Sequence, residues 1–465
     1  MKIKDAQEAD VRALLGGCYD VKFEKHGSAV TVYCDGMADH KQLSSHVLPR
    51  LDDMIRNDEI PLLGENEELE QLAQAVFSGY AVFLFFSRNG TVAYEADISN
   101  PPGRSPEESA SETSIRGPRD GFTEELSTNI ALIRKRLKTE SLRYEHFTIG
   151  KRGKTALGLL YIQDVIHPPI VEEARNRIRR IDVDSLIGSG QLEEYLSDSS
   201  DSIFPLVDYI GRPDFAVETL LRGRFVILAD GFPIAIIGPT SLTEQLKSPE
   251  DAHFSYAYTF MQRLLRLVGL IVAMTLPGLY VAFICYNIDQ VPFYLMSTIA
   301  VARAGIPFPA PLEALFMMGL FELFREAGIR LPKAVGQTVT VVGGLIIGDA
   351  AIRSGLASPT LLMVIAVTAV ASFSLVNQSL TGTVTIVRIY ILIISSCLGI
   401  YGFCIGVLSV LAYTCTLTSF GTSYWAPLDD IRFKSALLAL ANRPFKSKKQ
   451  RPGSLHSTDT SNQGG

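Results

Sequence analysis

The chain has 465 residues, a formal net charge of −6 and 20% charged residues. It is too long for one ordinary domain, suits two or three, and carries no basic surplus that would suggest a nucleic-acid partner. Its mean hydropathy of +0.20 averages two unlike halves. Residues 1–255 alternate short apolar runs with dense charge, whereas from Leu264 to Cys415 charge nearly disappears. A bilayer core demands this, because one central charge costs on the order of 3 kcal/mol there. The charges singled out in that stretch are Arg266, Asp289, Glu313, Glu322, Arg325, Glu326, Arg330, Lys333, Asp349, Arg353 and Arg388. Six cysteines form no CxxC pair and are read as small buried hydrophobes rather than as ligands or disulfides.

In chain order, MKIKDAQEADVRALL lacks the apolar core of about 7–15 residues that a signal peptide needs. The first half is therefore expected in the cytoplasm. A strand beginning at Phe23, a second at 29–33, a turn at Asp35-Gly36 and the helix-like QLSSHVLPRLDDMI form a first unit. The same order returns about 128 residues on: a strand from Phe147, a partner from Lys154 to Ile162, a turn at Gln163-Asp164 and the helix-like IVEEARNRIRRI. LAQAVFSGYAVFLF and VETLLRGRFVIL match as helix, glycine turn and apolar strand, through Gly79 and Gly223. Each leads into a hairpin pair, Asn89-Gly90 or Asp230-Gly231, suited to type I′ turns. Two similar α/β subdomains, 1–98 and 126–255, joined by a linker at 99–125, are the economical reading. NPPGRSPEESASETS within the linker reads as an exposed loop.

Within SIRGPRDGFTEELSTNIALIRKRL, at 114–137, Thr123 is expected to cap a helix with Glu124 and Glu125 in its first turn and Arg134, Lys135 and Arg136 at its end. This is either a well-capped linker helix or an interaction site. Arg116, Pro118 and Arg119 here, with Arg212 and Asp214 in GRPDF, are the candidate inter-domain or inter-subunit contacts. GKRGKT, at 150–155, lacks the first glycine of a phosphate loop because Thr148 stands there, and it reads as a basic hairpin turn. No HExxH, GxSxG or Cys/His pattern occurs, so no catalytic, cofactor or metal residue is proposed.

The second half, 260–428, is read as an all-α polytopic membrane domain of four to six spans. Residues 264–286 are long enough to cross, with a kink at Pro277; 335–352, 360–376 and 385–414 follow. Gly343, Gly344 and Gly348 are expected to let helices approach closely. The last segment is too long for one upright helix and short for two. Between Asp289 and Lys333 the proline-punctuated IPFPAP leads into a charged apolar helix read as re-entrant, interfacial or buried among others. A basic and then polar tail, 429–465, is read as disordered and cytoplasmic. Both termini inside requires an even number of crossings; Arg325, Arg330 and Lys333 also favour that side, which needs a crossing within 287–324, whereas four spans without it put those charges outside. Glu322, Arg325, Glu326, Gln337 and Asp349 are the candidate ion path, because membrane carboxylates mark such paths; the competing reading is a neutralised ion-pair cluster.

The segments 114–137, 204–240, SPEDAHF, LPGLYVAF, IPFPAPLEALFM, 321–352 and SFGTSYWAPL, in this order, resemble the A subunit of GerA-type spore germinant receptors. The resemblance covers roughly residues 15–430. It implies a non-enzymatic protein of the inner spore membrane, working with a transporter-like B subunit and a lipoprotein C subunit and oligomerising into a nutrient-gated cation channel. A related paralogue group, the stage V sporulation AF proteins, shares the membrane half. A non-conducting scaffold is the alternative class. A secondary transporter is disfavoured because the membrane half has no internal repeat.

Overall fold

The computed structural model describes all residues except 1, 27–28, 57–60, 64–68, 88–89, 101–113, 332–343, 345, 427, 429–450, 452, 456, 460 and 462–465. In the first subdomain β1 (Val21–His26), β2 (Ala29–Cys34), β3 (Leu62–Leu63), β4 (Tyr80–Ser87) and β5 (Gly90–Asp97) form an antiparallel sheet ordered β1-β2-β4-β5-β3. In the second, β6 (Leu142–Ile149), β7 (Thr155–Ile162), β8 (Asp208–Ile210), β9 (Phe225–Ala229) and β10 (Ala235–Gly238) are ordered β6-β7-β9-β10-β8. Adding five to each strand number converts one order into the other. The repeat read from the sequence is thus a repeat of topology.

Both sheets are buried on both faces, since period-2 alternation sends successive side chains to opposite sides. Val82 and Leu84 pack beneath α1 (Glu8–Leu15) and α2 (Leu69–Phe77), while Ala81 and Phe83 enter a second core over residues 40–56. Likewise Val226 and Leu228 face α3 (Leu126–Arg134) and α6 (Pro213–Leu221). Phe225 and Ile227 face α4 (Pro168–Arg180) and α5 (Ser189–Leu196).

Several details differ from the sequence reading. The strands begin earlier than Phe23 and Phe147, at Val21 and Leu142. Asp230-Gly231 is not a two-residue hairpin: five residues separate β9 from β10, because the Asp230 carboxylate is taken by the backbone N–H of Leu126 at 3.1 Å. Asn89 lies outside the described residues. QLSSHVLPRLDDMI is helical but passes through π and 3-10 turns before resuming as α-helix at Leu51. Pro49, lacking an N–H, sits within that break. In α4 the prolines stand in the first turn, where no bond is lost, and the helix is unbroken. GKRGKT is the β6–β7 turn, as expected.

In the helical half, α7 (Tyr256–Tyr286) runs 31 residues. α8 (Phe293–Arg303), α9 (Ala310–Arg330), a helical stretch at 346–353, α10 (Pro359–Phe373) and α11 (Gln378–Thr416) follow. Among the described residues, Tyr256–Tyr286 and Ser379–Thr416 are long and apolar enough to cross a bilayer. α11 is a helical hairpin. Gly399 breaks it at φ 62° and ψ −138°, Tyr390 and Ser409 hydroxyls meet at 2.8 Å, and Thr383 and Tyr413 both bond to Ile203. Its arms are roughly 30 and 25 Å long at about 1.5 Å per residue, which resolves the ambiguous last segment.

α9 runs back towards the soluble half. Near its start Glu313 bonds Ser358, two residues from Thr360, whose hydroxyl meets Tyr280 late in α7. Further along, Glu322 reaches Thr385 and Arg388 in the first arm of α11, whose N-cap Asn377 bonds Asp208 of the second subdomain. Arg325 and Arg330 therefore lie towards the same end as the soluble half. The glycines of close approach are Gly269 and Gly278 of α7, where an added Cβ would meet Ser374 and Ile391. Of the three expected from sequence, Gly348 is in ordinary contact range of Leu362 of α10, at 3.5 Å from an added Cβ, Gly344 meets nothing within 4 Å among the described residues, and Gly343 is outside them. Of the cysteines, Cys18 and Cys34 are buried as expected. Cys285, Cys397, Cys404 and Cys415 are exposed on outward helix faces, which an apolar surrounding makes affordable. The described part of the tail is packed rather than free. Arg451 donates to the Leu221 carbonyl at the end of α6, where helix carbonyls attract cations, and Thr458 bonds Val165 and Ile166.

Candidate functional site

Two charged clusters, one at the junction of the halves and one between membrane helices, dominate the candidate chemistry. The junction is built on consecutive carboxylates in a 3-10 turn, Pro249–Ala252, whose N-cap Ser248 accepts from the Glu250 N–H. Successive side chains leave a tight helical turn in different directions. Glu250 accepts from Arg212 Nη1 at 2.5 Å and from the Arg116 backbone N–H at 3.0 Å. Arg212 also forms a two-point pair with Asp214, at 3.1 and 2.6 Å, and His253 lies 3.3 Å from Asp214. Asp251 faces the other way and accepts from Arg263 at 2.7 Å and Arg266 at 2.6 Å, both on α7. Arg266 also donates to the Leu246 carbonyl at 2.6 Å.

Burial alone would raise both carboxyls. For Glu250 the hydrogen bonds from Arg212 and the Arg116 backbone outweigh it; for Asp251 those from Arg266 and Arg263 do. Both are held below the usual carboxylate range. Burial would likewise raise Glu244, but Arg224, Lys247 and Arg222 together hold it well below that range.

The C-terminal strand pair β11 (Thr418–Ser419) and β12 (Thr422–Ser423) adds a second fastening. Between the strands Phe420 enters the core beneath β9, with the Arg177 guanidinium 4.2 Å from its ring centre. Tyr424 donates to Gln245 at 2.8 Å. Both fastenings hold the soluble half to the ends of the membrane helices.

The membrane cluster joins α9 to α11. Glu322 lies 2.7 Å from Arg325 and 3.3 Å from Arg388, and Thr385 donates to it at 3.2 Å. Arg388 is 1% exposed and its Nε has no hydrogen-bond partner among the described residues. The remaining ion-path candidates are not part of this cluster. Glu326 pairs with Arg330 one turn on, at 2.7 Å, and both are exposed. Asp349 pairs with Arg353 in the same manner, and Gln337 is outside the described residues.

Of the predicted contact residues, Arg116, Arg212 and Asp214 meet around Glu250, with half-buried Pro118 and exposed Arg119 following in the chain. The expected cap of α3 moves: the helix starts at Leu126 and Glu125 is its N-cap, so Glu124 and Glu125 precede the first turn. The Thr123 hydroxyl instead closes a turn on the Glu125 N–H, and Asn129 locks both backbone groups of Thr123. Arg134 does not decorate the helix end. It is fully buried against Asp20 of the first subdomain, at 2.8 and 3.1 Å.

Sequence reasoning did not pick out Arg388 as a partner of Glu322. It also missed Arg303, 3.5 Å from the buried Glu313, and the Glu250–Asp251 pair. Two adjacent acids directly before a long apolar run that itself carries two arginines were the available signal for the last.

Comparison with known proteins decides the family. The model of the Bacillus/Clostridium GerA spore germination protein family matches residues 9–454. The chain belongs to the GerA family. Spore germination protein XA of Bacillus anthracis is 40% identical over 99% of this chain and 97% of its own length. Spore germination protein KA of Bacillus subtilis (strain 168) is 32% identical, over 95% of this chain and 83% of its own. An uncharacterized membrane protein of the same organism, YfkQ, is 34% identical over 95% and 89%. Among solved structures, the N-terminal domain of the A subunit of the Bacillus megaterium spore germinant receptor GerK3 aligns at 24% identity and a TM-score of 0.39. It covers 51% of this chain and 96% of that one. The GerA assignment agrees with the order of motifs in the sequence and with a membrane protein built from an α/β half and a helical half.

Proposed function

We propose that this GerA-family chain is the A subunit of a germinant receptor that oligomerises in the inner spore membrane and conducts cations when the receptor binds nutrient. A transporter-like B subunit and a lipoprotein C subunit are its partners, and the soluble half and tail face the cytoplasm. The observation that carries the reading is the Glu322–Arg325–Arg388 cluster. It is a charged, incompletely paired group between α9 and α11, in a region where an isolated charge is costly and is retained for function. The junction at Glu250 and Asp251 supports it, because it ties the soluble half directly to α7.

The test is a planar-bilayer recording of the purified full chain, alone and with its partner subunits. Unitary cation currents altered by Glu322→Gln are the expected result. Absence of current under both conditions overturns the channel reading. One observation favours a non-conducting scaffold instead: Glu322 faces two guanidinium groups, so within one subunit it is no free cation-attracting carboxylate. In that case Glu322→Gln lowers protein abundance and leaves no current to alter.

A further inference from the structure

The exposed surface beside the junction has a composition of its own. The Arg116 guanidinium lies 5.0 Å from the ring centre of Phe254, and the Phe254 and Tyr258 rings are 5.2 Å apart. Among the described residues no carboxylate pairs with that guanidinium, since Glu250 takes only the Arg116 backbone N–H and gives its charge to Arg212. Ile115, next in the chain, is 71% exposed. Tyr258, Met261, Leu265 and Val268 recur at three- and four-residue spacing and are all exposed, so they form one ridge along α7. That ridge runs without interruption from the Arg116 platform into the apolar length of the helix.

α7 explains why such a surface sits here. Its 31 residues extend about 46 Å at about 1.5 Å per residue, against a hydrocarbon core of roughly 30 Å. The charged residues Arg263 and Arg266 stand near its N-terminal end, so the length in excess of the apolar core is assigned there, to the turns that carry Tyr256 and Tyr258. Tyrosine favours the headgroup layer because its ring is apolar and its hydroxyl wet. A solvent-exposed isoleucine next to an arginine that stacks on Phe254, itself against Tyr258, and that no carboxylate among the described residues pairs with, has the chemistry of a membrane-interface contact.

We propose that residues 115–119, with Phe254, Tyr256 and Tyr258, form a docking surface for anionic phospholipid headgroups of the bilayer that α7 enters. Ile115 dips into the interface and Arg116 pairs with lipid phosphate. Charge complementarity and continuity with a bilayer-length helix select lipid as the occupant. The same segment bonds Glu250, so the lipid surface and the Arg212–Glu250 fastening share one short stretch of chain.

The test uses the full chain in nanodiscs of phosphatidylcholine, with or without phosphatidylglycerol. Ile115→Trp adds a second fluorophore to a chain whose one tryptophan is Trp425, and its emission is read as the difference from the unsubstituted protein. Brominated lipid should quench the added emission, with a preference of roughly fivefold for brominated phosphatidylglycerol over phosphatidylcholine, the contribution of one basic residue at a charged surface. Arg116→Gln in the same background should abolish that preference, and Arg116→Lys should keep it. Quenching by aqueous iodide without quenching by lipid places the surface in water and overturns the proposal. Shielding from both quenchers in either lipid shows a protein covering and overturns it too. Should Ile115→Trp fail to fold, hydrogen exchange of residues 114–119 in the unsubstituted chain is the substitute. Slower exchange in anionic nanodiscs supports the surface, and equal exchange in both lipids overturns it.

Discussion

Asp251 and Glu322 are each a carboxylate held between two arginines, one at the foot of the soluble half and one among the membrane helices. At Asp251 both oxygens accept guanidinium hydrogen bonds at 2.6–2.7 Å, and one of the arginines is further tied to the Leu246 carbonyl. At Glu322 the second arginine stands off at 3.3 Å, its Nε is unpaired, and the carboxylate is 20% exposed against 5% for Asp251. A saturated clamp behaves as a fastener, because any rearrangement strands a buried charge. A loose clamp already has an unmet donor, so it can exchange partners with less loss. The same residue types thus make a saturated contact in one place and an unsaturated one in the other, and the proposed channel reading assigns attachment to the first and response to the second.

The largest expected effect follows from the tight clamp. Asp251→Asn leaves Arg263 and Arg266, both nearly buried, without a counter-charge, which costs about 3–5 kcal/mol. The melting temperature of the detergent-purified chain should fall accordingly, and Asp251→Glu should recover part of the loss. An unchanged melting temperature would mean that the junction is not a fastener. The acid limb carries the same information. Glu244, Glu250 and Asp251 titrate lower in the folded chain than when unfolded. Their stabilisation is complete above the ordinary carboxylate range and is lost as pH falls through the depressed folded values. Stability of the chain should therefore decline below about pH 4.5, and less steeply in Asp251→Asn.

Next in size is the hinge of α11. At Gly399 the backbone occupies a region open to glycine, and an added Cβ would lie 2.8 Å from the Tyr286 Cβ. Gly399→Ala should cost at least about 1–3 kcal/mol and lower the amount of folded protein in membranes. It would thereby separate the hairpin from the Glu322 cluster, which sits well down the first arm. Normal abundance would show that the hairpin tolerates a different turn.

How far these features could be read from sequence depends on the distance between partners. The repeat was legible because its signals are local: a helix, Gly79 or Gly223, and an apolar strand within about a dozen residues. The closing strands β3 and β8 were not, since two or three residues, Leu62–Leu63 and Asp208–Ile210, are too short to show a period. Arg134 resembled a helix-end cation because Asp20, its partner, is 114 residues away. Arg388 looked like an isolated charge in an apolar run until α11 brought it to Glu322, 66 residues distant. Family motifs located these segments but said nothing of which charges meet.

The loose clamp gives a smaller stability effect and a larger functional one. Glu322→Gln removes the counter-charge of Arg388, which already has an unmet donor and an entire second arginine beside it. Loss of stability should be about 1–3 kcal/mol, in the range for a weakened charged hydrogen bond, and ion release on germination should change more than protein level does. If both fall in proportion, Glu322 is a fastener like Asp251 and the contrast between the two clamps fails.

The smallest effect belongs to Glu326, four residues further along the same helix. Its pair with Arg330 lies within one helix, and its side chain is 61% exposed and that of Arg330 77%. Exposed pairs at this spacing contribute about 0.3–0.5 kcal/mol, and Glu326 touches neither Arg388 nor Thr385. Glu326→Gln should therefore leave melting temperature, abundance and ion release near their unsubstituted values, and the double substitution with Glu322→Gln should match Glu322→Gln alone. Measured side by side, the two glutamine variants ask whether carboxylate charge in α9 matters generally or only where it meets α11. Equal effects on ion release from both would assign the function to summed negative charge on the helix, and the clamp between α9 and α11 would lose its special role.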